Sequence, residues 1–571
     1  MPKQIYLFLF VCVFISACTP GPVSNSNSST PSAGPISFED GTRASGVSFT
    51  HVPTRTDQKH MPEVLGSGVA VADFNRDGAP DIYLVNSGAL GTDQRSDAAR
   101  DRLYLNDGKG TFRDVSAEWG VSGRGYGQGV AVGDFDNDGW PDIFLTNFEG
   151  NNQLLRNTGT AFQDVTAASG ILGDGQWATS AAFLDYDSDG LLDLYIVRYI
   201  KYDRNNPRPS YRNRMLIYST PINYEPVGDQ LWKNVGGGKF RDVTAESGIG
   251  SAEHNGLALG VGDIDLDGDV DIYLANDSDA NNLWINDGGK FRDIAQLAGA
   301  AYSSLGAEEG SMGVDFSDVN GDGRQDIAVT NFQFESTALY SQVEPLLFKE
   351  VSDAVGVGEA ARQRLKFGMD FFDIDNDGDE DLIVANGHIQ DNIELNSDTV
   401  TFAQPNSLYE AVGDGKFRDI TESAGAALAD VQVSRGLATG DLNGDGLLDF
   451  VISNNGGTAQ IGFNRSKAGN FVMLWLEGSG ANRSAIGTRV TAKIGGRTIE
   501  RQVMGAQSYL SISDLRVHFG LGDAETIDEL TIHWPGGDPQ RLSAVANGKF
   551  YYVRQGAEPI EFVPGEKQIQ P

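Results

Sequence analysis

A nine-residue acidic pattern recurs seven times between residues 73 and 449, and it restricts the fold more than any other feature of the chain. The copies are DFNRDGAPD from Asp73, DFDNDGWPD from Asp134, DYDSDGLLD from Asp185 and DIDLDGDVD from Asp263. DVNGDGRQD from Asp318, DIDNDGDED from Asp373 and DLNGDGLLD from Asp441 complete the set, so each reads D-x-[DN]-x-D-G-x-x-D. Successive copies start 51 to 78 residues apart, the span of one propeller blade with variable insertions. Small-residue runs such as GSGVAVAD and GQGVAVGD precede the loops, and apolar runs such as DIYLV, DIFLT and DLYIV follow them. Both read as strands, so each loop joins the arms of a hairpin whose second arm enters the core.

Acids at alternate positions of a tight loop turn their oxygens toward one centre. That suits calcium, a hard cation that takes six to eight oxygen ligands, better than magnesium, which is smaller and less tolerant. Positions one, three and five supply side-chain oxygens, the glycine at six permits the bend, and the aspartate at nine closes the shell. The candidate ligands are Asp73, Asn75, Asp77 and Asp81, then Asp134, Asp136, Asp138 and Asp142, then Asp185, Asp187, Asp189 and Asp193. They continue with Asp263, Asp265, Asp267 and Asp271, and with Asp318, Asn320, Asp322 and Asp326. Asp373, Asp375, Asp377 and Asp381, with Asp441, Asn443, Asp445 and Asp449, end the series. Asparagine at position three keeps an oxygen and drops a charge. An EF-hand needs Glu at position twelve; here that position holds Leu84, Leu145, Ile196, Leu274, Val329, Val384 and Ile452, which excludes the motif. Up to seven calcium ions are the expected cofactor.

A second pattern follows the hairpins, as in RLYLNDGKGTFRDVSAEWG (102–120), QLWKNVGGGKFRDVTAESG (230–248) and SLYEAVGDGKFRDITESAG (407–425). ALYSQVEPLLFKEVSDAVG (338–356) is a copy without the glycine turn. Each adds two strands, giving the four of a propeller blade. The last copy, DFVISNNGGTAQIGFNRS (449–466), lacks its final strand, whereas ISFEDGTRASG (36–46) supplies one ahead of the first loop. The expected fold class is all-β: a seven-bladed β-propeller over 36–466 closed by that N-terminal strand, with a smaller β-rich domain over 470–556 and a tail, 557–571. Closure leaves no exposed sheet edge.

The array resembles the FG-GAP/VCBS repeats of integrin α-subunit head domains, and that resemblance implies calcium in the propeller loops. From about Phe471 the acidic loops stop and arginines increase. GANRSAIGTRVTAKIGG (480–496), GAQSYLS (505–511), VHFGLGDAETIDELTIHWPGG (517–537) and NGKFYYV (547–553) resemble the ASPIC/UnbV domain, which follows an FG-GAP propeller in the cartilage acidic protein-like family. The resemblance covers most of 37–556 and implies extracellular binding and matrix association. The cysteine-rich EGF-like region of the animal members has no counterpart here, so nothing tied to it carries over.

MPKQIYLFLFVCVFISAC (1–18) reads as an export signal, with an apolar run from Ile5 to Ile15 that is too short for an ordinary membrane span. ISAC resembles a bacterial lipobox, so residues 1–17 are the expected signal peptide and Cys18 the acylated residue; a soluble secretory signal is the alternative. Residues 18–35, rich in Pro, Ser, Asn and Gly, read as a flexible tether. The expected location is the periplasmic or cell-surface face of a bacterial membrane. With Cys12 removed and Cys18 acylated, no thiol remains for a disulfide, which leaves ions to staple the fold. The 79 acids against 43 Lys and Arg give a formal charge of −36, which makes nucleic acid a poor partner.

No histidine pair has metal-ligand spacing and no GxSxG context occurs. His388 in ANGHIQD, after a core strand at a blade rim, is the best functional candidate among the histidines, with a structural hydrogen-bonder as the alternative, and no catalytic residue is assigned; His518 and His533 read as structural. GRGYGQG (123–129) precedes a strand rather than a helix and reads as a turn, not a phosphate loop. The 198–229 insertion carries six Arg or Lys, three acids and five tyrosines. It is either a ligand-facing loop, since Tyr and Arg dominate interface hot spots, or a basic loop folded over its own acidic propeller. The expected function is a calcium-loaded, membrane-anchored adhesion or binding protein for an extracellular protein or polysaccharide. An envelope enzyme acting on a polymer, and a passive envelope scaffold, are the alternatives.

Overall fold

The structure is a computed structural model that describes residues 36–92, 95–171, 173–251, 253–566 and 569. The expected signal peptide, Cys18 and the tether lie outside the described residues. Each acidic loop joins the first two strands of an antiparallel sheet; among the described residues seven such sheets follow the seven loops, six of four strands and the fourth with Glu309–Gly310 added as a fifth. In the second sheet, Tyr126–Gly133, Asp142–Phe148, Gln153–Asn157 and Phe162–Asp164 pair in chain order. In the last, Ser434–Gly440, Asp449–Asn454 and Gln460–Asn464 pair in order, and the fourth strand is Phe38–Asp40, with Phe38 opposite Asn464.

The small residues of the first strands have a packing reason. First strands of successive sheets contact one another, and Val69–Ala72 of the first sheet contacts Ser434–Gly440 of the last. A Cβ on Gly129 would lie 2.5 Å from the Thr179 carbonyl oxygen, and one on Gly133 2.9 Å from Phe183. The apolar second strands fill the spaces between neighbouring sheets. Val71, Ile82, Leu84, Ala438, Val451 and Ile461 form one such core, between the first sheet and the last.

The C-terminal module consists of two four-stranded sheets. In one, Asn470–Glu477 lies between Val517–Gly522 and Lys549–Arg554, the latter a parallel neighbour. In the other, Arg489–Ile494 lies between Arg497–Gln502 and Thr526–His533. Val472, Leu474, Val490, Phe519, Leu530 and Ile532 share one buried core. The expected tail is part of this fold: Ile560–Phe562 is an edge strand, and the Gly565 and Ile569 N–H groups donate to the Asp77 and Arg76 carbonyls of the first loop.

The segment 505–514 of the module runs among the first strands of the repeats. Ala506 pairs with Val261, Ser508 with Val314 and Ile512 with Ala70, while Val130 N–H donates to the Leu510 carbonyl. Ser508 Oγ donates to the Leu437 carbonyl and accepts from Met369 N–H, and Asp514 N–H donates to the Thr439 carbonyl. Tyr509 is fully buried against Phe367, and its hydroxyl donates to the Leu65 carbonyl.

Candidate metal centre

All seven loops close by the same hydrogen bonds. The carboxylate at position one accepts the N–H of the position-six glycine, from Gly78 at 2.8 Å through Gly139 at 2.7 Å and Gly268 at 3.1 Å to Gly446 at 2.8 Å. The aspartate at nine uses both oxygens. In the second loop Asp142 accepts Phe135 N–H at 3.1 Å and Asn157 N–H at 2.7 Å, and in the sixth Asp381 accepts those of Ile374 and Ala411. Position five accepts from position seven, as Asp138 does from Trp140 at 3.0 Å. Position four lies in the left-handed region at Arg76, Asn137, Ser188, Leu266 and Asn376, and the glycine at six has φ between 84° and 101° in every copy. Two such residues in nine fold the acids back on one another.

In four loops the fold gathers three carboxylates whose oxygens lie within 4.8 Å of one another: Asp134, Asp136 and Asp142; Asp185, Asp187 and Asp193; Asp263, Asp265 and Asp271; Asp373, Asp375 and Asp381. Asp138, Asp189, Asp267 and Asp377 at position five lie outside these triads. Where position three is asparagine, positions one and nine supply the carboxylates: Asp73 and Asp81, Asp318 and Asp326, Asp441 and Asp449. There Asn75, Asn320 and Asn443 each accept the N–H of Asp77, Asp322 and Asp445.

Charge this concentrated is costly without a cation. Burial, reinforced by Asp138 and Asp136, pushes Asp134 up to about 7, and burial pushes Asp193 up to about 9. Burial and the neighbouring Asp134 hold Asp142 well above the usual carboxylate range. Three triad oxygens, Asp136 Oδ1, Asp187 Oδ1 and Asp263 Oδ1, are buried with no hydrogen-bond partner. A buried carboxylate oxygen left in that state fits a hard cation bound by oxygens.

Side chains that the motif does not contain also supply positive charge. Arg156 pairs with Asp136 at 2.6 Å and with Asp138 at 2.8 Å, and Lys233 pairs with Asp187 and, at 2.9 Å, with Asp189. Both stand on the third strand of their sheet, in LLRN and LWKN. The C-terminal module adds Arg516 at 3.3 Å from Asp73 and Arg489 at 3.1 Å from Asp263. Its Glu477, fully buried, accepts from Arg76 of the first loop at 2.6 Å and from Arg483. The module's arginines thus face the acidic loops. Among the described residues, Asp373, Asp375, Asp377 and Asp381 have no Lys or Arg within ion-pairing distance; the arginines there pair with the neighbouring Asp379 and Glu380.

The other candidates divide. His388 is buried, accepts Gln390 N–H on Nδ1 at 2.9 Å and bonds Gln333 through Nε2 at 3.2 Å. His518 is buried, stacked on Phe471 and bonded to the Gly446 carbonyl, whereas His533 is only partly buried at the end of its strand. The strand Tyr126–Gly133 begins inside GRGYGQG. The 198–229 insertion lies on its own protein: Tyr199, Tyr218 and Tyr224 are buried, and Tyr218 donates to the buried Glu63. Arg198 pairs with Asp174 and Arg204 with Glu149, so those tyrosines and arginines anchor the loop, while Lys201 pairs with Glu225 inside it; Tyr211 is exposed.

Sequence comparison matches the FG-GAP-like repeat to residues 73–145, 134–196, 263–329 and 373–452, the FG-GAP repeat to 435–470, and ASPIC and UnbV to 478–560. Cartilage acidic protein 1 of Homo sapiens is 25% identical over 538 residues, covering 88% of this chain and 74% of its own. That of Mus musculus is 26% identical over 511 residues, covering 84% and 72%. Among solved structures, an Agrocybe aegerita lectin that recognises non-reducing terminal N-acetylglucosamine aligns at TM-score 0.37 and 16% identity, over 70% of this chain and 94% of its own. The BP39L lectin of Burkholderia pseudomallei aligns at TM-score 0.41 and 10% identity, over 70% and 95%. The chain is an FG-GAP-repeat protein with a C-terminal ASPIC and UnbV domain, related in sequence to cartilage acidic protein 1.

Proposed function

We propose that the seven sheets are the blades of a closed propeller, that calcium ions bind in its acidic loops, and that the protein is an exported binding protein held at a membrane through Cys18. The observation that carries the calcium assignment is the set of buried, unpartnered triad oxygens at Asp136, Asp187 and Asp263. Position-one, -three and -nine side chains hold each ion, and position five or a backbone carbonyl completes the oxygen set. The ion's role is structural: it neutralises carboxylates that the fold forces together. Closure is supported by the contact of the first sheet with the last and by Phe38–Asp40 in the last sheet.

Extracellular calcium modules bind with Kd of about 10⁻⁴–10⁻³ M. At roughly millimolar calcium that corresponds to about 0.4–1.4 kcal/mol per occupied loop by mass action. Several loops together rival the net stability of an ordinary domain, about 5–15 kcal/mol. The test is metal analysis of the purified protein with scanning calorimetry in calcium and in EDTA. Bound calcium and a lower Tm in EDTA are expected; metal-free protein with the same Tm in both buffers overturns the assignment. Metabolic labelling with palmitate tests the anchor, with label on the native chain and none on Cys18→Ser.

A further inference from the structure

At the strand ends remote from the acidic loops lies a cavity of about 310 Å³, walled in part by the 198–229 insertion. Leu65, Leu257, Met312, Phe367 and Ile217 make its lining predominantly apolar. An apolar cavity of about 150 Å³ holds benzene, so this one has room for a body of roughly ten to fifteen heavy atoms, at the small end of ligand sites.

The polar groups in the wall are specific. Because His388 accepts the Gln390 N–H on Nδ1, its proton is on Nε2, which donates to Gln333 Oε1. Burial holds His388 down at about 4, so the ring is neutral at pH 7. The Gln333 amide is thereby oriented, and its Nε2 is buried with no hydrogen-bond partner. Gln333 itself is 8% exposed and lines the cavity. The two carboxylates in the wall already have donors: Asp277 accepts from Tyr199 and Ser278, and Glu335 from the Gly310 and Phe332 N–H groups. Two buried wall atoms have no hydrogen-bond partner: Gln333 Nε2, which calls for an acceptor, and Asn392 Oδ1, which calls for a donor. The wall sets two acids, Asp277 and Glu335, against one cation, Arg212, so an anion meets net negative charge there.

We propose that this cavity binds a neutral small molecule with an apolar body and a hydrogen-bond acceptor, a carbonyl, placed against Gln333. The proposal deepens the binding reading and rests on it, but calcium content plays no part, so failure of the calcium assignment leaves the following titrations interpretable.

Folded full-length protein in calcium buffer is titrated with butyrophenone, with butylbenzene, which has the same body without the acceptor, and with 4-phenylbutyrate, its anionic counterpart. Saturation-transfer NMR reads each affinity. Butyrophenone is expected to bind at least tenfold more tightly than either analogue. Gln333→Leu should abolish that preference over butylbenzene, and Ile217→Trp, at a half-buried wall position, should weaken binding at least tenfold. Equal affinity for butyrophenone and butylbenzene in the native protein overturns the proposal without reference to any variant. So does tighter binding of 4-phenylbutyrate, absence of binding by all three, or unchanged binding in Ile217→Trp.

Discussion

The glycine at loop position six meets two demands that separate from copy to copy. At Gly268, φ is 101° and a Cβ would meet nothing within 4 Å; at Gly378, φ is 94° and a Cβ would lie 2.9 Å from Ile499 Cδ1 and 3.2 Å from the Gly520 carbonyl oxygen. Gly268→Ala should therefore cost only backbone strain, about 1–3 kcal/mol, and Gly378→Ala measurably more, because the C-terminal module must also shift. Urea unfolding of both variants checks the order; equal losses would remove the packing contribution. The carboxylates carry a pH signature. Burial raises Asp134 to about 7 and Asp193 to about 9, so without a cation the folded chain holds protons that the unfolded chain has released. The stability these groups contribute is complete below the ordinary carboxylate range, near pH 4, and is lost as pH rises through about 7 to 9. The proposed calcium would replace those protons, so its stabilising effect should be small near pH 5 and largest near pH 9. Calorimetry with and without EDTA across that range reads the difference; a gap independent of pH would contradict it. The bend and the gathering of the acids were legible because every position of the motif lies within nine residues. Arg156 and Lys233 were not, because nothing local says which loop a third-strand cation will reach.

At the scale of the element, one asparagine ties each of five sheets to a neighbour. Asn234, last in its strand, donates from Nδ2 to the Leu192 carbonyl of its own sheet and to the Phe135 carbonyl in the preceding loop, at 3.0 and 2.8 Å. Asn157 reaches Phe74, Asn286 reaches Tyr186 and Asn464 reaches Ile374 in the same way, Gln342 makes a longer version to Ile264, and Asn106 reaches Leu442 of the last loop. The sixth sheet has Ala411 at this place. Asn234→Ala leaves two buried carbonyls without their donor, and a loss of about 1–3 kcal/mol is expected. Chemical denaturation measures it; a loss below about 0.5 kcal/mol, typical of neutral surface changes, would show that the bond carries little. The residue recurs visibly in LYLN, LLRN, LWKN and LWIN, yet its purpose could not be read there. Its partner lies 83 to 336 residues away in the chain. Strand pattern is a local property, whereas this bond depends on which sheet stands beside which.

For the molecule as a whole, the segment 505–514 makes the repeats and the C-terminal module one object. GAQSYLS reads locally as an alternating strand, and the module boundary near Phe471 is a real change of composition; neither says that the segment leaves its module to pair with Ala70, Val261 and Val314. That placement depends on a space formed only when the first strands of the repeats come together, so it is a consequence of assembly rather than of local sequence. Its energetic weight is concentrated in Tyr509, fully buried with its hydroxyl satisfied by Leu65. Arg516 against Asp73 and Glu477 against Arg76 add buried charge pairs between module and loops, and removing one partner leaves the other uncompensated. Neither part can therefore unfold without exposing the interior of the other. A single calorimetric transition is expected, with calorimetric and van't Hoff enthalpies equal. Tyr509→Ala should lower its Tm through a loss of about 3–5 kcal/mol, the usual cost of truncating a buried aromatic ring to alanine, while keeping one transition in the milder Tyr509→Phe. Two resolved transitions in the native protein would mean that the module rests on the repeats without being coupled to them, and Tyr509→Ala would then move only one of the two.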